Sequence, residues 1–518
     1  MTLKYLQQQW KDHPLELIMG MAIILRLIAV IFSKGYGMLD DHFLVIEASQ
    51  SWVDGHDYNR WLPGSGATGP EGHNFFYAGI HYLLFYVMEL LNFTDPQGKM
   101  YLIRFLHAGL SLLTVYFGYK ITEKLGGKKS ARQAGLLLAV FWFMPFLSVR
   151  NMIEVVCIPF LLWGTFVLMK SPSAKRLTLS GYMNYFWAGL LFGIAFSTRF
   201  QTIIYTGGAG FVLLYNRKFR ESMVLTLAFI LSVFLTQGLT DIFIWGYPFA
   251  ELIAYIEHNI TYRTSYIVAP WYNYILLILG LLIPPISFFL LFGFFKKGIQ
   301  KSALLIFIPA FLFLLFHSIF PNKQERFILP VIPFIIILGI IGWNEFVTKS
   351  KFWARRKTLL KASWIFFWVI NIILLPVIST TYSKKAKVES MTYLSRYDNI
   401  RFVLFENSNK FGELLFPRYY IDEWISYKEI TKDNIDDPFP EDLKTNPYII
   451  PRFIIFVEDE NLLERVAYIK KHFPNIVYEA TIEPGFVDNV MHWLNPVNAN
   501  ETITIYRNTT LIPAMKND

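Results

Sequence analysis

The sequence predicts a polytopic α-helical membrane protein with an α/β domain outside the membrane at its C-terminal end. Three observations predict this fold class: long apolar blocks up to residue 380, basic clusters between those blocks, and alternating strand and helix patterns after them. We therefore predict a transmembrane domain at residues 1–380 and an extramembrane α/β domain at residues 381–518.

The apolar blocks are long enough to cross a bilayer. Of the 518 residues, 54% are hydrophobic and only 17% are charged, whereas an average soluble protein is about 25% charged. A membrane helix needs about 20 mainly apolar residues, and segments such as 15–34 and 326–343 meet or approach that length. The first segment carries Arg26 at mid-span and has no small-residue cleavage site, so we do not expect a cleaved signal peptide.

Lysine and arginine gather in short clusters between the apolar blocks, which is the pattern of cytoplasmic loops. If these clusters lie inside together with the N-terminus, about 11 segments cross the membrane and the C-terminal domain lies outside. Segment 75–92 would break this parity, so we expect it to be re-entrant or interfacial, and counting it as a crossing gives about 12. The clusters occupy residues 124–132, 170–176, 216–220, 296–301 and 349–361.

The net charge of +9 does not indicate a nucleic-acid partner, because the basic residues are those of the loops. The composition instead indicates membrane lipids as partners. Cys157 is the single cysteine, so an intrachain disulfide is impossible. Because residues 381–518 contain no cysteine, we expect a bacterial inner membrane with the outer segments facing the periplasm. An endoplasmic reticulum membrane with those segments in the lumen is the alternative.

The C-terminal domain shows strand patterns and one clear helix. Residues 460–473 have acids at the start and lysines at the end, as a helix dipole favours. The predicted strands are 399–406, 452–459, 475–482 and 501–507. The sequence of this domain contains no Gly-rich phosphate loop, no metal-ligand cluster and no nucleophile elbow.

Charged side chains stand at the outer ends of several predicted membrane helices, where they are functional candidates by default. The main candidates are Asp40, Asp41, Arg150, Arg199, Lys323 and Arg326. The alternative is that the cations snorkel or staple helices together. A carboxylate opposite such cations can deprotonate a hydroxyl while the cations hold a phosphate leaving group. This chemistry moves a sugar from a lipid phosphate to an acceptor hydroxyl.

The aspartate pair also has a purely structural interpretation. Residues 42–54 have the periodicity of a short interfacial helix, which Asp40 or Asp41 would cap. The apolar and acidic positions fall on separate faces, with Phe43, Ile46 and Val53 on one and Asp40, Glu47 and Asp54 on the other. A cap needs only one aspartate, and the capping-box partner is absent three residues later.

The stretch "DDHFLVIE" at 40–47 resembles the D-E-x-F-Q-x-x-E motif in the first external loop of glycosyltransferase family 22. Members of this family are GT-C-type mannosyltransferases that use a polyprenyl-phosphate or dolichyl-phosphate mannose donor in N-glycan and GPI-anchor assembly. Asp40, Phe43 and Glu47 match the motif. Asp41 replaces a Glu, and Leu44 replaces a Gln.

A second stretch, "HSIFPNKQERFILPVIPF" at 317–334, resembles the family pattern H-S-x-x-P-H-K-E-x-R-F-x-x-P-x-x-P. Asn322 stands at a His and Gln324 at a Glu of that pattern. The matching positions are His317, Ser318, Pro321, Lys323, Arg326, Phe327, Pro330 and Pro333. "RNMIE" at 150–154, Arg199, Asp241, Gly246 and Asn259 resemble intermediate motifs, which are weak alone.

The resemblance covers residues 1–346 and implies a GT-C fold and an inverting sugar transfer that needs no metal or other cofactor. The implied substrates are a polyprenyl-phosphate sugar, most often mannose, and a hydroxyl of a lipid-linked glycan at the outer membrane surface. Asp40 is the implied base, and Asp41 is the other candidate. The implied substrate-binding residues are Lys323 and Arg326 at the donor phosphate, together with Glu47, Arg150, Arg199, His317 and Gln324.

Two other functions remain open at this point. A transporter or flippase for a lipid-linked sugar would also place charges inside membrane cavities, but the charges here gather at one membrane side and the halves do not repeat. A relative that glycosylates protein Ser or Thr is the other alternative, although the motifs favour the lipid-glycan family.

Overall fold

The computed structural model describes residues 3–171, 179–437, 439, 441–446, 448–496 and 501–510. Most of the basic cluster 170–176 therefore lies outside the described residues. The chain forms two compact units. The first unit comprises 1–31, 55–83 and 103–380, and the second comprises 32–54, 84–102 and 381–518. The predicted domain boundary after residue 380 stays a prediction.

The first unit is built almost entirely of helices. Two helices, Phe75–Leu90 and Pro96–Val140, continue into the second unit, and the longer one is interrupted at Gly127, where φ is 71°. The other α-helices are Leu3–Asp12, Pro14–Ile31, Met144–Ser148, Ile153–Lys170, Leu179–Thr198, Ile203–Tyr215, Phe219–Val233, Leu239–Trp245, Ala250–Thr261, Asn273–Leu281, Ile286–Gly298, Leu304–Ile319, Ile332–Lys349, Lys351–Arg355 and Lys357–Ser379. Short 3₁₀ or π segments lie at Phe200–Thr202, Phe234–Gly238, Lys301–Ala303 and Glu325–Val331.

Within the described part of the chain, seven helical stretches are long and apolar enough to cross a membrane. They are Pro14–Ile31, Pro96–Val140, Ile153–Lys170, Phe219–Trp245, Lys301–Ile319, Glu325–Lys349 and Lys357–Ser379. The polytopic helical fold is thus confirmed, while the count of about 11 to 12 crossings stays a prediction. The apolar segment 274–295, which is one of the segments counted above as a crossing, forms two helices, Asn273–Leu281 and Ile286–Gly298. Pro284 and Pro285 interrupt the helical hydrogen bonds between them.

The helix Ile332–Lys349 is the most enclosed of these spans. All residues from Ile332 to Trp343 are buried, as expected for a helix that is apolar all round. It meets Ile286–Gly298 at a close backbone approach, where a Cβ atom on Gly293 would clash with the carbonyl oxygen of Gly339. Small residues at such crossings let membrane helices pack tightly.

The second unit contains a five-stranded sheet in the order β2-β1-β3-β5-β4. The strands are β1 Phe402–Asn407, β2 Ser426–Thr431, β3 Phe453–Val457, β4 Ile476–Ile482 and β5 Ile503–Asn508. β1 is parallel to β2 and β3, whereas β5 is antiparallel to β3 and β4. β1 and β3 are buried along their whole length, which is typical of central strands covered on both faces.

The helices of the second unit are Leu39–Asp41, Ala48–Val53, Lys385–Leu394, Asp442–Thr445, Leu462–His472 and Phe486–Leu494, with a π segment at His42–Glu47 and a 3₁₀ turn at Arg418–Ile421. Leu462–His472 packs on the sheet through Val466 and Ile469. The four predicted strands and the predicted helix 460–473 are all present. The strand β2 was not predicted, because "SYKEIT" contains two charged residues and lacks a clear apolar alternation.

Candidate functional site

Asp40 and Asp41 lie in the first turn of a helix that begins at Leu39. The cap position is occupied by Met38, whose backbone is extended and whose side chain makes no capping hydrogen bond. Asp41 occupies the cap position of the next segment, His42–Glu47, but its side chain makes no capping hydrogen bond there. Both carboxylates still lie where the positive end of the helix dipole favours negative charge. Asp40 is exposed, whereas Asp41 is buried.

This helix widens into a π-turn at His42–Glu47 before it returns to α geometry at Ala48–Val53. The predicted face shared by Asp40 and Glu47 does not form, because Asp40 is exposed while Glu47 is 0% exposed. The physical reason is the i→i+5 spacing of a π-turn, which rotates later residues away from the positions of a regular α-helix. π-turns are frequent at functional sites.

Glu47 is held by aromatic and backbone groups of the second unit. Its Oε1 accepts the backbone N–H of Tyr419 at 3.1 Å and lies 3.5 Å from Nε2 of His42. The His42 ring stacks on Tyr36 at a centroid distance of 4.8 Å and on Tyr420 at 5.5 Å. Glu47 thus ties the helix of the aspartate pair to the 3₁₀ turn at Arg418–Ile421.

A second polar network holds the C-terminal end of the same helix. The buried amine of Lys99 donates to Glu89 at 2.5 Å and to Gln50 at 3.1 Å. Gln50 donates to one oxygen of Asp54 at 3.0 Å, and the indole of Trp424 donates to the other at 2.6 Å. This network was not predicted from the sequence, where its only local signal is a set of polar residues beside apolar segments.

The first unit brings two of the predicted cations together on one carboxylate. Arg199 donates to Glu154 Oε1 at 2.6 Å, and Nε of Arg326 lies 3.4 Å from the same oxygen. Nε of Arg326 also donates to Oε1 of Gln324 at 2.9 Å. Glu154 is fully buried, and the Phe327 ring lies 5.0 Å from the guanidinium of Arg199. We call Glu154, Arg199 and Arg326 the arginine cluster.

The arginine cluster has a net positive charge and unsatisfied donors, which favour the binding of an anion. Two guanidinium groups and one carboxylate give a formal net charge of 2 − 1 = +1. Nε and Nη2 of Arg199 are buried and have no hydrogen-bond acceptor among the described residues. Oε2 of Glu154 is also buried and has no hydrogen-bond donor among them. Unsatisfied buried donors are costly, so an anionic ligand that accepted them would be bound favourably.

Lys323 lies in the loop between two membrane spans. Its amine donates to the backbone carbonyl oxygens of His317, at 2.9 Å, and of Phe320. Its backbone N–H donates to the carbonyl oxygen of Ile267 at 2.8 Å. Burial lowers the pKa of the Lys323 amine, because the charged form is less well solvated. In this arrangement the amine is occupied by carbonyls, so phosphate binding by Lys323 would require its side chain to turn.

His317 and Arg150 are also buried. Nδ1 of His317 donates to the Phe313 carbonyl at 2.8 Å, and its Nε2 has no hydrogen-bond partner in the described structure. The guanidinium of Arg150 lies over the Phe146 ring at 4.5 Å. The structure thus joins Arg199, Arg326 and Gln324 around Glu154, a residue whose position in "RNMIE" was noted without a role.

A separate carboxylate organises several loops of the first unit. Glu251 accepts the backbone N–H groups of Gly72 and His73 at 2.7 Å each and the indole N–H of Trp245 at 2.7 Å. Asp241 accepts the backbone N–H of Glu251 at 3.1 Å. Burial raises the pKa of Glu251. These contacts give Asp241, a residue of the intermediate motifs, a role in loop structure.

Among the described residues, no three His, Cys, Asp or Glu side chains are grouped so that they could hold a metal ion. The prediction of a metal-independent, cofactor-free reaction rests on the sequence motifs and stays a prediction.

The family assignment rests on a match that spans most of the chain. The model of the Alg9-like mannosyltransferase family matches residues 17–412. This range includes the aspartate pair, the arginine cluster and the two motifs at 40–47 and 317–334. The chain belongs to the Alg9-like mannosyltransferase family. The resemblance to glycosyltransferase family 22 is therefore confirmed, and with it membership of a family of membrane glycosyltransferases.

Two curated fungal relatives of this Alg9-like chain are similar over a shorter region. GPI mannosyltransferase 3 of Saccharomyces cerevisiae is 26% identical over 185 residues, which are 33% of this chain and 29% of the relative. GPI mannosyltransferase 3 of Kluyveromyces lactis is 25% identical over 207 residues, which are 36% of this chain and 34% of the relative. The match thus spans about a third of the length of each relative.

The fold of the Alg9-like chain is similar to that of a solved bacterial structure. The crystal structure of ArnT from Cupriavidus metallidurans bound to undecaprenyl phosphate has a TM-score of 0.59 and 13% identity, with 94% of this chain and 97% of that chain covered. This similarity confirms the predicted GT-C type of membrane fold with an added C-terminal domain.

Proposed function

We propose that this protein transfers a sugar, specifically mannose, from a polyprenyl-phosphate donor to a hydroxyl of a lipid-linked glycan. The observation that carries the proposal is the arginine cluster, where two buried guanidinium groups share one carboxylate and Arg199 keeps unsatisfied donors. Membership of a mannosyltransferase family supports the sugar. The undecaprenyl phosphate bound to ArnT supports a lipid phosphate as the donor group.

In the proposed reaction, the acceptor hydroxyl attacks the anomeric carbon of the donor sugar while its proton passes to a carboxylate. The bond between the anomeric carbon and the phosphate oxygen breaks, and the polyprenyl phosphate leaves with the electron pair. Attack on the face opposite the leaving group inverts the anomeric carbon. Arg199 and Arg326 would stabilise the charge that grows on the leaving phosphate.

Asp40 is the proposed base, and its exposure supports this choice over Asp41. A general base must come within hydrogen-bond reach of the acceptor proton, and the side chain of Asp40 is accessible whereas Asp41 is 5% exposed. Asp41 would then orient the acceptor or the helix. Glu47 is fully buried and bonded to Tyr419, so we propose that it positions this helix and does not contact the substrate directly.

Lys323 and Gln324 complete the proposed phosphate site, Lys323 after its amine turns away from the carbonyls of His317 and Phe320. Gln324 accepts from Arg326 at 2.9 Å and fixes the direction of that guanidinium. Because Arg side chains carry the positive charge in this scheme, we propose that the reaction needs no metal ion. The proposed location is the outer side of a bacterial inner membrane, and the lumenal side of the endoplasmic reticulum is the alternative.

A transfer assay with the purified chain tests this function. The protein is reconstituted in liposomes with radiolabelled polyprenyl-phosphate mannose and a lipid-linked glycan extract, with and without a metal chelator. The expected product carries the label in a new glycosidic bond, which survives the mild acid that releases mannose from the polyprenyl phosphate, and it forms equally well with the chelator. Label that crosses the bilayer without a new glycosidic bond would indicate a flippase, and label in protein would indicate a protein O-glycosyltransferase.

A further inference from the structure

The helix Phe486–Leu494 of the second unit exposes a strongly apolar face. Phe486, Trp493 and Leu494 are 72%, 80% and 64% exposed, and Val490 is 36% exposed. Their spacing of i, i+4, i+7 and i+8 places all four on one side of the helix. We call these four residues the aromatic face. A contiguous apolar face of this kind on a folded domain marks an interaction surface.

The start of this helix lies close to the chain that leaves the membrane. A Cβ atom on Gly485 would lie 3.0 Å from the carbonyl oxygen of Tyr382. Tyr382 follows the membrane span Lys357–Ser379 by only three residues, and three residues of extended chain cover about 10 Å. The helix therefore begins in contact with Tyr382, a residue that the chain itself keeps within about 10 Å of the last residue of a membrane span.

A second chain exit lies at the same place. Gly35 follows the span Pro14–Ile31 by four residues and forms a parallel bridge with Ser383, the residue after Tyr382. Two segments that follow membrane helices thus pair with each other beside the start of the helix Phe486–Leu494. The headgroup and interfacial regions add roughly 5–8 Å to each side of the hydrocarbon core, so a segment that starts three or four residues beyond a span lies at the bilayer interface or just outside it.

The chemistry of the helix fits a lipid surface. Trp and Phe are favoured at the bilayer interface, and an amphipathic helix with such a face lies in the plane of the membrane. Its polar side carries Asp488, which accepts the backbone N–H of Gly485 at 3.3 Å. Residues 486–494 contain no Lys or Arg, so burial of apolar area, and not attraction to anionic lipids, would drive insertion.

We propose that the aromatic face inserts into the membrane leaflet beside the second unit and anchors the C-terminal α/β domain to the lipid surface. The occupant of this face is phospholipid, because two segments that follow membrane spans within four residues meet beside the start of the helix. The inference does not depend on the sugar-transfer reaction, since it concerns where one helix lies.

Fluorescence quenching in nanodiscs tests the anchor. The full chain carries one cysteine, Cys157, which is buried, so Cys157→Ser provides the background. A single cysteine labelled with bimane is placed by Trp493→Cys or, as a second reporter, by Leu494→Cys. The matched control is Leu463→Cys, because Leu463 is 84% exposed on another helix of the same unit. The bilayer is phosphatidylcholine, with or without lipids that carry a shallow nitroxide quencher.

We expect nitroxide lipid to reduce bimane fluorescence at least twofold at positions 493 and 494 and to leave position 463 nearly unchanged, without any anionic lipid. Equal quenching at all three positions, or none at 493 and 494, would overturn the proposal. Efficient disulfide cross-linking between two copies of the Trp493→Cys variant, together with no quenching, would assign the face to a second copy and would also overturn it.

Discussion

Arg199 donates a hydrogen bond of 2.6 Å to Glu154, and both side chains are almost completely buried. Arg326 approaches the same carboxylate oxygen at 3.4 Å. One buried carboxylate therefore faces two arginines, and the formal charge of the three side chains together is positive.

The first prediction concerns this shared carboxylate. Glu154→Gln keeps the shape of the side chain but removes the countercharge that two buried cations share. Removing one partner from a buried ion pair costs about 3–5 kcal/mol, so we expect a clearly lower melting temperature in detergent. Inorganic phosphate should raise the melting temperature of this variant by more than it raises that of the parent. Glu325→Gln is the control, because Glu325 is exposed next to Arg326, and equal stability of the two variants would contradict the arginine cluster.

The second prediction concerns the phosphate contact. Arg326→Ala should lower sugar transfer about 10²–10³-fold, since it removes a fixed donor from the leaving group, while expression stays normal. Arg326→Lys should recover only part of the rate, because a Lys amine cannot form a two-pronged contact with phosphate. Arg263→Ala is the control, since Arg263 is exposed in the loop that follows the helix Ala250–Thr261. Near-normal turnover of Arg326→Ala would remove Arg326 from the donor site.

The third prediction separates the two aspartates. Asp40→Asn retains the shape of the side chain but cannot accept a proton, so transfer should fall about 10²–10⁴-fold with little change in melting temperature. Asp41→Asn should retain more activity and lose more stability, because Asp41 is buried. Rates and melting temperatures are measured on both variants. An active, stable Asp40→Asn protein would exclude Asp40 as the base, and full activity in both variants would leave the proposed chemistry without a base.

The fourth prediction concerns Glu47. Glu47→Ala leaves the Tyr419 backbone N–H without its acceptor, and an unsatisfied buried donor costs about 1–3 kcal/mol. We expect a lower melting temperature and reduced transfer, with Glu47→Gln recovering most of the stability because an amide oxygen can accept the same N–H. Leu44→Ala is the control, as Leu44 is an exposed neighbour on the same helix. Unchanged stability of Glu47→Ala would contradict the positioning role.

Local patterns predicted most elements and also explain where the prediction failed. The strands β1, β3, β4 and β5 are rich in β-branched and aromatic residues, which gave a clear signal. The strand β2 was missed because its charged residues resemble a loop, and only pairing with β1 makes it a strand. The regular helix expected at 42–54 contains a π-turn, which no periodicity in the sequence indicates.

The sequence by itself determined that this is a polytopic membrane protein, that it has a C-terminal α/β domain and that it carries the motifs at 40–47 and 317–334. These features depend on the length of apolar runs and the order of residue types. Only the tertiary structure decided the partners of the buried charges. Glu154 and Arg199 are 45 residues apart, and Glu47 and Tyr419 are 372 apart. Such pairs form because buried charges and backbone groups must find partners in space, and distance along the chain does not reveal which partner the fold supplies.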